Sequence, residues 1–199
     1  TVAAEAELIA AVLTMIDAVG LARGDVKVRL NSRSLLEDSL RAGILKQRPE
    51  TFEPLCVVID KIEKIGPDKV VDMLVDPTGE IRLEATEARD VVQMLSLSSL
   101  DDAVNAAPKG SDAGAELQRL WRLLEAYEIQ DRVVFDASVV RGLAYYTGVV
   151  FEAFDTRGDL RSICGGGRYD RLTETLGGQS IPAAGFGFGD VVIGELLSD

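Results

Sequence analysis

Two short stretches in the C-terminal third hold the residues best suited to chemistry. They are "VVRGLAYYTGVVFE" (139–152) and "CGGGRYD" (164–170). Arg141 carries a planar fork of donors that suits a carboxylate or a phosphate. Tyr145, Tyr146 and Tyr169 offer flat walls with hydroxyl tips, matched to a small polar or aromatic group. Gly165, Gly166 and Gly167 have no side chains, so a ligand can come close to the backbone. Structural readings stand beside these. A glycine triplet also fits a bulge or tight bend, and Arg168 with Asp170 fits a structural ion pair. "GFGFG" (185–189) fits a strand against which another element packs closely; it lacks the G-x-G-x-x-G spacing of a dinucleotide site. Arg141 is harder to explain structurally, because an arginine beside a Val-rich strand is costly to bury without a partner.

Composition narrows the chemistry further. The 199 residues contain no histidine, which excludes Ser-His-Asp and Cys-His catalysis and histidine-ligated metals within this chain. Only Cys56 and Cys164 are present, far apart, so neither a disulfide framework nor a zinc cluster is expected and a reducing compartment fits best. Both read as small buried hydrophobes. A net charge of −12 repels polyanions at long range, so a nucleic-acid partner would take its main phosphate grip elsewhere. With 47% hydrophobic residues the chain can bury a core. No apolar run approaches the roughly 20 residues of a membrane span. The opening "TVAAEAELIAAVL" lacks the basic start of a secretory leader.

The elements that must position these residues follow from periodicity. A helix is expected over 3–20 and a strand over 25–30. A second helix is expected over 34–44, with Ser34 and Glu37 spaced as a capping box. Residues 50–127 read as helical. The expected helices are 53–65, 66–75 with Pro67 near its start, 84–95 and 115–127, with a flexible connection at 105–114. The helical charges between 60 and 90 read as a solvated face. From 131 the texture turns β-rich. "TGVVFEAF" and "LRSICGG" read as strands joined by a hairpin at "DTRGD", "YDRLTETL" as a short helix, and "AAGFGFGDVVIGELL" as strand then helix. A tight turn there would set Phe154 opposite Leu160, Tyr146 near Arg168 and Thr147 near Gly167. The fold class is therefore α+β: part of an antiparallel sheet flanked by helices and interrupted by a helical insertion. The divisions are 1–48, 49–128 as the insertion, and 129–199.

In this order, "RGLAYYTG", "GGRYD" and "AAGFGFGDVVI" resemble the signatures of histidyl-tRNA synthetase, a class II aminoacyl-tRNA synthetase. The third occupies the place of class II motif 3. The resemblance implies an enzyme that joins L-histidine to ATP as histidyl-adenylate and passes histidine to tRNA(His). It implies Arg141 as the catalytic arginine at the ATP α-phosphate and the histidine carboxylate. It places Tyr145, Tyr146 and Tyr169 around the histidine, Gly165, Gly166 and Gly167 beneath it, and Gly185, Gly187 and Gly189 with Arg141 at ATP. Magnesium would accompany ATP, with no protein ligand for it identified in the sequence, and a homodimer is implied for the full-length protein. The expected location is the cytoplasm or an organelle, without a membrane. Ala144 stands where many members have Asp, and Val192 lies near the place of a motif 3 arginine that holds ATP; this resembles a plastid-like branch. Motifs 1 and 2 and the anticodon-binding domain are not found in the 199 residues, so the chain reads as an internal catalytic-domain fragment, inactive alone. The competing readings are a non-catalytic synthetase-like paralogue, either a regulatory subunit of histidine biosynthesis or a histidine/tRNA sensor domain, and a plain α+β binding module.

Overall fold

The structure is a computed structural model and describes residues 1–158 and 161–198. Helix α1 (Val2–Ala18) leads through Gly20, whose φ of 109° suits glycine, to strand β1 (Val26–Ser32). Helix α2 (Arg33–Ala42) starts at once, without a loop. Six helices follow: α3 (Phe52–Ile59), α4 (Ile62–Ile65), α5 (Pro67–Val75), α6 (Ala85–Met94), α7 (Leu100–Asn105) and α8 (Ala113–Ala126). The chain then returns to the sheet with β2 (Val133–Phe135), β3 (Val149–Asp155) and β4 (Cys164–Arg168). Helix α9 (Leu172–Thr175), β5 (Ala184–Phe188) and α10 (Asp190–Ser198) complete the described part.

The five strands form one sheet in the order β2-β1-β3-β4-β5. β1 and β2 are parallel, and the other pairs are antiparallel. The parallel pair needs a long crossover, and α2 to α8 supply it. Two main apolar clusters result. One joins α1 (Ile9, Leu13, Ile16), α8 (Leu117, Leu120, Leu124) and one sheet face (Phe151, Ala153, Cys164). The other gathers α3, α5 and α6 around Phe52, Leu55, Ile59, Leu74 and Val91, and takes in Val140 from just before the signature. The helices of the expected insertion thus divide between two cores.

Several local expectations are corrected. The cap of α2 is Ser32, whose Oγ accepts from the Leu35 N–H at 3.2 Å; Ser34 instead lies 2.9 Å from the Ser32 hydroxyl. The strand runs straight into the helix, so its last residue becomes the cap. The helix expected over 53–65 breaks between α3 and α4. The connection at 105–114 shortens, because α7 reaches Asn105 and α8 starts at Ala113. It is also anchored, since Ser111 Oγ donates to Asp38 Oδ2 at 2.6 Å.

The hairpin register is corrected too. Val150 pairs with Gly167 and Ala153 with Cys164, a slip of three residues from the expected alignment. Thr147 N–H donates to Arg168 O at 2.9 Å. The expected partner of Phe154, Leu160, lies outside the described residues. A tight turn does form, with Gly158 N–H donating to Asp155 O at 3.0 Å. Ile163 N–H donates to Ala153 O at 2.8 Å, in line with a register three residues away from the one counted from the turn.

Candidate active site

The second sheet face carries the site. Side chains alternate along a strand, so Val150, Glu152, Gly165, Gly167, Gly185 and Gly187 share the face opposite Phe151 and Cys164. A Cβ on Gly165 would collide with the Arg141 guanidinium. One on Gly167 would collide with the Val149 carbonyl oxygen and lie 3.0 Å from the Tyr146 ring, and one on Gly185 would collide with the Tyr169 hydroxyl. Each of these glycines therefore makes room for one functional side chain lying flat on the sheet. Gly166 points the other way and is covered by Phe186. Over Gly187 the space is open, and Gly189 donates its N–H to Ile163 O at 3.1 Å. The glycine triplet is thus a regular paired strand and not a bulge.

The three tyrosines form one aromatic group. Tyr145 and Tyr146 have ring centroids 4.6 Å apart, and Tyr169 stands edge-on at 5.9 and 6.2 Å. Tyr146 is buried with Val139 and Val150. Burial, followed by its hydrogen bond to Tyr145, pushes the Tyr146 phenol up to about 12, against the opposing pull of Arg141. It is therefore a neutral hydrogen-bonding wall near pH 7 and not a base. Arg141 ion-pairs with Glu152 from β3. Burial pushes the guanidinium down, but the hydrogen bond and charge of Glu152, aided by Tyr146, outweigh it and raise its pKa. The cation is permanent, and three-quarters of its side chain is shielded, with 24% exposed. Arg141 also has φ 55°, a left-handed backbone that few non-glycine residues adopt.

Arg168 is held structurally. Its Nε lies 3.1 Å from Glu5 Oε1, its Nη2 2.8 Å from Glu116 Oε2, and Asp170 follows at 3.7 Å. The expected pair with Asp170 is the longest contact of a network tying α1 and α8 to β4. Asp170 also exchanges hydrogen bonds with Thr147, at 3.1 and 3.3 Å. Sequence reasoning missed Glu5 and Glu152. Glu152 was legible in principle, as a carboxylate facing inward on a strand at β period from Val150. Glu5 was not, since it lies in a helical pattern far from the signature. Val192 is half-buried and packs on the first core, so α10 aims no cation from that position at the glycine floor. Cys56 and Cys164 are free and buried, their thiols pushed up to about 12 and about 11 by burial. Among the described residues no group of three or more His, Cys, Asp or Glu could hold a metal, and no helix is long and apolar enough to cross a membrane.

The arrangement can bind a small molecule that carries both an anion and a flat polar ring, with the anion on Arg141 and the ring among the tyrosines. Comparison with known proteins gives the family. The family model for histidyl-tRNA synthetase matches residues 1–189. The chain is 44% identical, over 100% of its length and 40% of the relative's, to the chloroplastic/mitochondrial histidine–tRNA ligase of Arabidopsis thaliana. It is 36% identical, over 98% of its length and 44% of the relative's, to the histidine–tRNA ligase of Thermoplasma volcanium. The crystal structure of histidyl-tRNA synthetase from Nostoc superposes with a TM-score of 0.80 at 25% identity, covering 100% of this chain and 46% of that one. A Bacillus halodurans structure described as an ATP phosphoribosyltransferase regulatory subunit/histidyl-tRNA synthetase gives 0.77 at 25% identity, covering 100% and 50%. The chain thus spans less than half the length of these curated relatives, and with signature, glycine floor and sheet in one matched stretch, it belongs to the histidyl-tRNA synthetase family.

Proposed function

We propose that the protein carrying this chain is a histidine–tRNA ligase, which activates L-histidine with ATP and transfers it to tRNA(His). One observation supports the reading above others: the shielded Arg141 cation lies across Gly165, next to a three-tyrosine wall, inside the family match. In the proposed first step a histidine carboxylate oxygen attacks the ATP α-phosphorus. A phosphorus–oxygen bond forms, the bond to the bridging oxygen breaks, and pyrophosphate leaves with that electron pair. Arg141 faces both the attacking carboxylate and the α-phosphate and stabilises the charge that develops between them. Tyr145, Tyr146 and Tyr169 bind the imidazole side, on the face floored by Gly165 and Gly167, while Gly166 between them faces Phe186 and serves the strand. The open strip over Gly187, with Gly185 and Gly189 beside it, receives the nucleotide. Magnesium arrives with ATP as part of that substrate and supplies charge neutralisation on its phosphates. In the second step the adenylate acyl group passes to the tRNA 3′ end and AMP leaves.

The domain divisions at 49 and 128, a homodimer of the full-length protein and a cytoplasmic or organellar location belong to the same proposal. Cell fractionation decides between the two locations. The chain by itself is expected to be inactive in aminoacylation. The test is histidine-dependent exchange of pyrophosphate into ATP, run on the protein in its natural full length and on this chain alone. Exchange by the full-length protein supports the ligase. Histidine binding without exchange supports the second reading, a non-catalytic paralogue, for which the core-packed Val192 near the place of the motif 3 arginine speaks.

A further inference from the structure

We infer that Arg33, outside every signature, is the positioning residue that clamps the Arg141 loop at both of its ends. Arg33 is the first residue of α2 and is only 2% exposed. Its backbone N–H donates to Gly148 O at 2.9 Å, where the signature enters β3. Its side-chain Nη1 donates to Arg141 O at 3.1 Å, where the signature begins. One residue therefore holds the first and last members of "RGLAYYTG". Arg141 O also accepts from Leu143 N–H at 2.7 Å, which folds the loop back on itself. That carbonyl belongs to the residue with φ 55°. A left-handed conformation in a side-chain-bearing residue persists only where its surroundings over-determine it, and the Arg33 guanidinium supplies such a hold.

The clamp is anchored in the second core. Arg33 Nη2 ion-pairs with Glu53 of α3, and its guanidinium carbon lies 5.3 Å from the centre of the Phe52 ring. The same helix touches the loop again at its end, where a Cβ on Gly142 would lie 3.0 Å from Asp60 Oδ2. Val140, just before Arg141, is buried in that core. The helical module is thus a buttress for the loop, and Arg33 is its contact with the backbone of Arg141. A shift of this carbonyl would turn the Arg141 side chain off Gly165 and away from Glu152.

The test compares Arg33→Met with Arg132→Met in the protein at its natural full length. Arg132 is an equally buried arginine with a 2.8 Å ion pair to Asp17, and it makes no contact with the loop. Two readouts are taken. Amide hydrogen exchange over 141–148 should rise in Arg33→Met and stay at the wild-type level in Arg132→Met. The kcat of histidine-dependent pyrophosphate exchange should fall about ten- to a hundredfold in Arg33→Met, with the KM for histidine changed much less. Arg33→Lys should recover part of the kcat, because it retains a donor to Arg141 O. Unchanged protection of 141–148, or a kcat loss no greater than in Arg132→Met, overturns the clamp. The kinetic arm rests on the ligase reading. If wild type shows no histidine-dependent exchange, that reading fails, and the amide readout alone decides the clamp.

Discussion

Arg141, Tyr146 and Tyr169 each lie over a glycine of the opposite strands, so the site depends on missing atoms as much as on present ones. A methyl group on Gly165 would occupy the place of the Arg141 guanidinium. Gly165→Ala should therefore lower histidine-dependent exchange by about a hundredfold, while Gly187→Ala, whose Cβ meets open space, should leave the fold's melting temperature unchanged. Parallel kinetics and thermal melts check both. Tyr146→Phe removes only a hydroxyl, bonded to Tyr145 and Arg141. It should weaken histidine binding by about 1 kcal/mol, read by calorimetry. The motif letters pointed to these residues. They could not say that the glycines would be filled by the protein's own side chains, because that depends on how a loop returns across the sheet.

At the scale of elements, a buried charge network decides how α1 and α8 seat on the sheet. Glu5 is 3% exposed, accepts from Val149 N–H at 3.1 Å and faces Arg168. Burial pushes its carboxyl above the ordinary value, against the pull of Arg168 and the Val149 hydrogen bond and with Glu116 adding to the rise. Above pH 4.5 the unfolded chain loses the Glu5 proton before the folded one does. The folded state then binds more protons, so stability falls as pH rises through that window. The stability of wild type minus that of Glu5→Gln should accordingly decrease as pH rises above 4.5 and level off once the folded carboxyl has ionised. Urea unfolding across pH measures it. The periodicity of α1 was readable from Leu8, Val12 and Ile16, but a glutamate one turn earlier reads as solvent-facing until α8 and β4 are placed around it.

At the scale of the molecule, the sheet ends at β5. Phe188 is 41% exposed and Val191 69%, with Leu176 just after α9, Ile181 before β5 and Leu197 in α10 also exposed. A strand edge with apolar surroundings is a template for pairing with another chain. This chain alone should self-associate, and Val191→Lys should shift it toward monomer in sedimentation velocity without lowering the melting temperature. A concentration-independent monomer in wild type would refute this. The net charge of −12 opposes association at low salt, so the effect should grow as salt screens it.

The sequence by itself determined the element order apart from α7 and the break between α3 and α4, the mixed α+β class, the buried thiols and the stretches that carry the family's signatures. Those properties rest on local periodicity and on residue chemistry, which a single chain displays directly. Tertiary structure alone decided the rest: the slip of three residues in the β3–β4 register, the cap at Ser32, the Glu5–Arg168–Glu116 network and the hold of Arg33 on Arg141. The cap turns on how far β1 runs before α2 begins; the others join groups far apart in sequence or depend on the register two strands adopt. Such contacts are chosen by packing two cores against one sheet. Arg33 reads as an ordinary helix-start residue until α3 and the signature loop close over it.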